Sequence, residues 1–321
     1  MVTAKALFRH AVIGGFWRPI KKRAEQELVN ELQTKRFASF PFVSPDTFRA
    51  ISSVVIEDGR VLFQPRMFQR EVVYFELSEV AGTEQSFSDS ISFMSLERVL
   101  GECQPAPIVI MSHGDFIPDL LLLSRIGERS ERVFAINLPF ETDKIRAIPL
   151  GLENFSWNRN GRLSDFLSHS RYEARNEKLH EVFASFAVRN NPQVRLPIAE
   201  ALKDSSFYWS EKRLSPENYR AHVRESKFVI SPPGRGLDCH RTWEALYLGA
   251  VPVVQEGSLA PGLIDSLPIL AVADYSEFFA KTSRERHEIY ESLTSRGLEK
   301  AFMPYWLERI SRVAADIKYG T

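Results

Sequence analysis

The sequence predicts an α/β protein built as two doubly wound domains that face each other across a cleft. Three observations point there. The chain has 321 residues, 44% of them hydrophobic, so it can bury a large core, and its length is near twice that of a common domain. Short apolar runs rich in Val, Ile and Phe alternate with stretches of helical length, the pattern of strand and crossover helix in a parallel sheet. This alternation runs through two halves, interrupted by "NFSWNRNGRLSDFLSHSRYEAR", which is rich in Asn, Ser and Arg. The expected boundaries are a first domain over 1–155, a linker over 156–175, a second domain over 176–300 and a terminal helix over 301–321 that packs back on the first domain.

In the first half, "ISSVVIEDGRVLFQP" and "EVVYFEL" read as strands, with Asp58-Gly59 as a hairpin turn. A helix around "ISFMSLERVLG", the strand "PIVIM", a helix around "DFIPDLLLLSRIG" and the strand "RVFAIN" follow. In the second half the order is strand "KLHEVFASFA", helix "PQVRLPIAEAL", short strand "SFYW" and helix "SPENYRAHVRES", which Ser215 and Pro216 open. The strand "KFVIS" leads into a Gly-rich loop, then the helix "RTWEALYLG" closed by Gly249, then the strand "VPVV". "PYWLERISRVAADI" is amphipathic and supplies the terminal helix.

Lys plus Arg and Asp plus Glu both number 41, so the formal net charge is zero and bulk attraction to nucleic acid is not expected. Two cysteines cannot form a disulfide framework and suit a reducing compartment. No apolar run is long enough for a membrane span. The N-terminal segment lacks the order of a cleaved signal and is read as a mature terminus. The expected location is the cytoplasm, with room for peripheral contact with a membrane surface. The alternating charges of "PIKKRAEQELVNELQTKR" read as a solvated helix face.

The informative stretch is "SPPGRGLDCHRTWEALYLGAVPVV", Ser231 to Val254. In an open α/β sheet, ligands bind beyond the carboxyl ends of the strands, where Ser231 begins. Gly234 and Gly236 allow close backbone approach, and the following helix offers its N-terminus to an anion. Arg235 and Arg241 add bidentate donors for phosphate. Glu244 lies three residues beyond Arg241 on the same helix face and can accept hydrogen bonds from vicinal hydroxyls such as those of ribose. Together these describe a nucleoside diphosphate site. The spacing fits neither the phosphate-loop nor the dinucleotide-binding pattern, which argues against an ATPase or a dehydrogenase. Arg213, on the loop after "SFYW", is a further base or phosphate contact; a solvated loop is the simpler account of it.

That run resembles the C-terminal signature of the exostosin family of glycosyltransferases. Pro232, Gly234, Gly236, Arg241, Glu244, Ala245, Leu246, Gly249, Pro252 and Val253 stand in register with it. The resemblance implies a GT-B fold of two Rossmann-like domains, with the nucleotide sugar held mainly by the C-terminal one and the acceptor by the N-terminal one. It implies Arg241 on the diphosphate, Glu244 on the ribose, and inversion at the anomeric carbon. The chain departs from the family's animal members in lacking their membrane anchor and a second transferase domain, so neither the sugar nor a heparan-type role carries over.

Transfer from a sugar diphosphate needs the leaving group's charge stabilised, which Arg241, Arg235 and the helix N-terminus can do without metal. The chain has no Asp-x-Asp motif, so no metal and no cofactor are expected. Single-step inversion also needs a general base. His113 and Asp115 in "VIMSHGDF" follow a strand end of the first half, with His113 carrying the better suited pKa and Asp115 either the base or its orienter. The plain alternative is that Asp115 caps a helix and His113 is solvated or bonded in the core. Cys239-His240 lacks the spacing of a ligand pair, and Phe207, Tyr208 and Trp209 read first as strand core.

The expected activity is therefore inverting, metal-independent transfer from a nucleotide sugar, a UDP-sugar in the first instance, to a glycan or polysaccharide acceptor. The competing readings are a retaining transferase or epimerase of the same architecture, and a nucleotide-sugar-binding protein without catalysis.

Overall fold

The computed structural model describes residues 39–77, 90–154, 166, 178–210 and 212–315. The expected N-terminal features over 1–36 lie outside the described residues, as does the linker over 156–175 apart from Phe166. No described helix is long and apolar enough to cross a membrane.

The described residues form a mixed α/β structure with two sheets in which parallel pairing dominates. Its elements run α1 (Pro45–Ile51), β1 (Val54–Glu57), β2 (Arg60–Phe63), β3 (Val72–Glu76), α2 (Ile91–Glu102), β4 (Ile108–Ser112), α3 (Leu120–Glu128), β5 (Arg132–Ala135) and β6 (Ile145–Ala147). They continue with β7 (His180–Ala184), α4 (Pro192–Lys203), β8 (Tyr208–Trp209), α5 (Pro216–Arg224), β9 (Ser226–Ile230), α6 (His240–Tyr247) and β10 (Val251–Gln255). The last are α7 (Pro261–Ile264), β11 (Leu270–Val272), α8 (Tyr275–Ala280), α9 (Ser283–Thr294) and α10 (Met303–Ala315).

The chain divides into two compact units. Unit 1 comprises residues up to Ile136 with Glu141–Ile148 and Phe302 onward; unit 2 comprises Asn137–Phe140 and Pro149–Ala301.

Unit 1 carries the sheet β2-β1-β3-β4-β5-β6, parallel except for the β1–β2 hairpin. Asp58 and Gly59 both take positive φ, 49° and 66°, as a two-residue hairpin turn of the twist-compatible type requires. β4 is buried along its whole length, the condition under which a parallel strand becomes a continuous apolar run. The Asp119 carboxylate caps α3 by accepting from the Leu122 amide at 2.7 Å, so this helix starts four residues later than a cap at Asp115 would place it. α10 belongs to unit 1. Its entry is fixed by the Met303 amide donating to the Pro41 carbonyl at 2.8 Å and by the Phe42–Phe302 ring pair, and Trp306 meets Phe134 edge-on.

Unit 2 carries the fully parallel sheet β11-β10-β9-β7-β8. Helices cover both of its faces. Val182 and Ala184 of β7 pack with Ile198 and Leu202 of α4, Phe278 of α8 and Leu293 of α9. Phe183, pointing the other way, meets Tyr219 and His222 of α5. Ser215 caps α5 through the Asn218 amide with Pro216 at its first turn, and Gly249 leaves α6 at φ 77°. In chain order these strands sit as second, first, third, fourth, fifth, so the winding reverses between β7 and β9. A ligand crevice is expected at the carboxyl ends of that pair.

Candidate functional site

The loop Ser231–Asp238 leaves the carboxyl end of β9, and the segment from Ser185 to Asn191 leaves the carboxyl end of its neighbour β7. Arg195 of α4 ties the two together. Its guanidinium donates to the carbonyls of Pro233 at 2.9 Å, Pro232 at 3.1 Å and Ala187 at 2.9 Å, while the Asn191 side chain donates to the Gly234 carbonyl at 3.0 Å. The loop is therefore held by fixed donors before any ligand arrives. Sequence reasoning missed Arg195, because an arginine on an amphipathic helix carries no mark of what it will reach.

The two glycines have a physical reason beyond ligand approach. A β-carbon on Gly234 would lie 3.1 Å from an Arg195 nitrogen, and one on Gly236 would lie 2.9 Å from Asn137 Oδ1. The expected room for a ligand on those sides is filled by protein. Asn137, itself at φ 57°, accepts from the Asp238 amide at 2.9 Å. Asp238 is buried and its carboxylate accepts from the Trp243 indole at 2.8 and 2.9 Å and from the Leu150 amide at 2.9 Å. Burial pushes its pKa up to about 7 in spite of those donors.

Arg241 and Glu244 come together on α6, as one helical turn requires. Burial alone would lower the Arg241 pKa, but the acidic groups of Tyr219, Cys239, Glu244 and Tyr275 outweigh it and hold the guanidinium charged. Arg241 Nε is buried and has no hydrogen-bond partner. Arg241 lies over the Phe186 ring at 5.9 Å, and Arg195 lies over the same ring at 5.7 Å. A buried and a half-buried cation thus share one ring, and the Arg195 pKa is lowered, first by burial and then by Arg241. α6 has no side-chain cap at its N-terminus, where Cys239 stands. Helix amides without a side-chain cap, with the unpaired Arg241 Nε beside them, are a place suited to an anion.

Glu244 is 8% exposed. Burial raises its pKa to about 7; the Arg241 charge opposes the shift and the Glu153 carboxylate adds to it. Glu153 Oε2 is buried without a hydrogen-bond partner, and the Tyr219 hydroxyl faces Glu244 without forming a hydrogen bond of ordinary geometry. These acceptors and donors are of the kind a polyhydroxylated group satisfies. Tyr219, Glu153 and Phe186 were not signalled in the sequence, since each sits on a different segment from the motif.

Arg235 is exposed on the loop, and Arg213 is exposed before α5. Neither is drawn into the buried group. His113 and Asp115 belong to unit 1. His113 follows β4 at φ 67°, a conformation rare for a residue with a β-carbon, and its Nε2 is 3.4 Å from Glu76 Oε1 at the end of β3. Glu76 is thus a carboxylate that faces His113, and Asp115 is exposed. Cys239 meets Ser231 Oγ at 3.1 Å and is part of the loop's internal bonding.

Comparisons with known proteins bear on this region. No curated protein matches the chain. Among solved structures, one similar chain is the α,α-trehalose 6-phosphate synthase from Burkholderia multivorans, 12% identical, covering 96% of this chain and 81% of that one with a TM-score of 0.37. A likeness of that size carries no functional information. Residues 163–268, which include β7 to β10 with Phe186, Arg195, Tyr219, Arg241 and Glu244, match the family model for the RXYLT1 C-terminal domain. Over that third of its length, the chain is similar to the C-terminal domain of that family.

Proposed function

We propose that this protein is a glycosyltransferase that takes its sugar from a nucleoside diphosphate donor. The observation that carries the reading is the pair of guanidiniums, Arg195 and Arg241, on one Phe186 ring at the uncapped start of α6, beside a sheet's winding reversal. Arg195 has its donors on the carbonyls of Pro233, Pro232 and Ala187, whereas Arg241 Nε is buried without a partner, so Arg241 is the charge that an anion would satisfy. A diphosphate is an anion that fits, and Glu244 three residues on serves the ribose hydroxyls. The match over 163–268 to the RXYLT1 C-terminal domain, an exostosin-like xylosyltransferase family, supports the same reading.

In this reading the donor's diphosphate lies against Arg241 and the amides at the start of α6, with Arg235 closing over it from the exposed side of the loop. Charge developing on the leaving diphosphate is met by these fixed donors, so reorganisation in the transition state is small. The chain's lack of an Asp-x-Asp motif supports a route without metal. His113 is the proposed base that takes the acceptor hydroxyl's proton, with Glu76 holding the imidazole and stabilising it once charged. The acceptor is a glycan or polysaccharide, and the anomeric carbon is inverted in one displacement.

The test is a thermal-shift panel of UDP, GDP, CMP and dTDP and their sugars, each read against a baseline containing the same chelator. Stabilisation by one nucleoside diphosphate, unchanged by chelator, is expected. A flat response to all of them would remove the donor site. Arg241→Ala is expected to weaken binding of the responding nucleotide by about 1.5–3 kcal/mol, the worth of a charge-assisted hydrogen bond, with the far-UV circular dichroism unchanged.

A further inference from the structure

At the other end of the unit 2 sheet, where β7 and β9 begin, His180, His222 and Glu225 bring three ligand-type side chains together. Their donor atoms lie within 4.8 Å of one another. Glu225 Oε2 is 4.0 Å from His180 Nε2 and 3.9 Å from His222 Nδ1. We propose that these three residues form a zinc site that pins the start of β7 to the end of α5.

The backbone sets the arrangement in place. His180 opens β7 and its amide donates to the Glu225 carbonyl at 2.9 Å, which fixes the two residues beside each other. His222 and Glu225 are three apart at the end of α5, so both project from one side of it. The ring orientation is also fixed. His222 Nε2 is 3.3 Å from the Tyr208 hydroxyl, while its Nδ1, facing Glu225, is buried and has no hydrogen-bond partner. A metal-binding imidazole is ordinarily held this way, with one nitrogen engaged by a neighbour and the other free for the ion. His180 stacks on the Tyr208 ring at 5.1 Å and 13°.

The distances suit contraction around a small ion. Tetrahedral zinc with bonds of roughly 2.0–2.1 Å places its ligands about 3.4 Å apart. Closing the two gaps to Glu225 to that value takes about half an ångström each, and the two histidine nitrogens, within 4.8 Å of each other, need to close by at most about 1.4 Å, within reach of side-chain rotation. Two imidazoles and a carboxylate are a borderline-soft set that favours zinc over calcium or magnesium. The three side chains are 25–39% exposed, which leaves an entry path and a fourth position for water. This site lies at the amino ends of parallel strands whose carboxyl ends carry the Arg241 loop, so it acts on stability and is independent of the donor reading.

The test uses the full chain stripped of metal and titrated with zinc chloride by calorimetry, followed by cobalt(II) absorption in the visible range. One tight zinc ion per chain, a raised melting temperature and a tetrahedral cobalt spectrum are expected. His180→Ala, His222→Ala and Glu225→Gln should each weaken zinc binding at least tenfold and abolish that spectrum, while leaving the nucleotide response intact. Should His222→Ala fail to fold without its Tyr208 contact, Glu225→Gln, which keeps the side chain's shape, decides. Zinc binding of equal strength and stoichiometry in the wild type and in Glu225→Gln and His180→Ala would overturn the site, as would a wild type that binds none.

Discussion

Glu244 is held where ionisation is costly, and the cost has a sign that can be followed with pH. Its folded pKa of about 7 lies above the ordinary carboxylate value, so the native state binds this proton more tightly than the unfolded chain does. The native state is therefore favoured below pH 4.5, and that advantage is lost as pH rises toward 7. Glu244→Gln is expected to flatten this dependence, making the variant more stable than the wild type at pH 8 by about 3 kcal/mol, read from urea midpoints. A variant no more stable than the wild type at pH 8 would mean the carboxylate is compensated in the native state. In the same window, ribose-bearing ligands are expected to bind better as pH rises through 7, since hydroxyl donors favour the ionised acceptor.

Gly236 makes a second prediction at this scale. A methyl group there meets the Asn137 side chain at 2.9 Å, and Asn137 is fixed by its own bond to the Asp238 amide. Gly236→Ala is expected to cost about 1–3 kcal/mol in thermal unfolding, as overpacking of a close contact does. Restoration of stability by the double variant Gly236→Ala/Asn137→Ala would locate the strain in that contact.

Among the elements, α4 supports the loop after β9 through one side chain. Arg195→Met keeps the bulk on Phe186 but leaves the carbonyls of Pro232, Pro233 and Ala187 without their donor. A loss of about 2–4 kcal/mol is expected, together with faster amide exchange in Ser231–Asp238. Exchange unchanged there would show that the loop holds itself. What the sequence makes legible divides along the same line. Ser215-Pro216, Asp58-Gly59 and Gly249 announce their turns and caps because the physics that selects them is local. The Arg241–Glu244 pair is legible because one helical turn fixes it. Arg195 bonds Pro233 across 38 residues and Asp238 bonds Asn137 across 101, and no local pattern encodes such partners. Asp115 has the composition of a cap, yet Asp119 is the residue that caps α3.

At the scale of the whole molecule, unit 1 is assembled from distant parts of the chain. β1 to β6 form its sheet, and α10 supplies Met303, Trp306, Leu307 and Ile310 to its buried interior. Truncation after Ala301 is expected to destabilise unit 1 selectively. Amide exchange in β4 should accelerate by orders of magnitude, while β7, β9 and β10 stay protected. Equal exposure in both sheets would show that the units unfold as one.

The antiparallel bridge between Phe42 and Phe302 also sets an order of events during synthesis. A ribosome delivers the whole of β7 to β11 before it delivers α10, so unit 2 can close on itself while unit 1 still waits for α10. Until that helix emerges, the apolar floor beneath β4 and Phe134 is open to water and to other chains. That floor is therefore covered only once Trp306 has emerged, although the strands it packs against are made well before it.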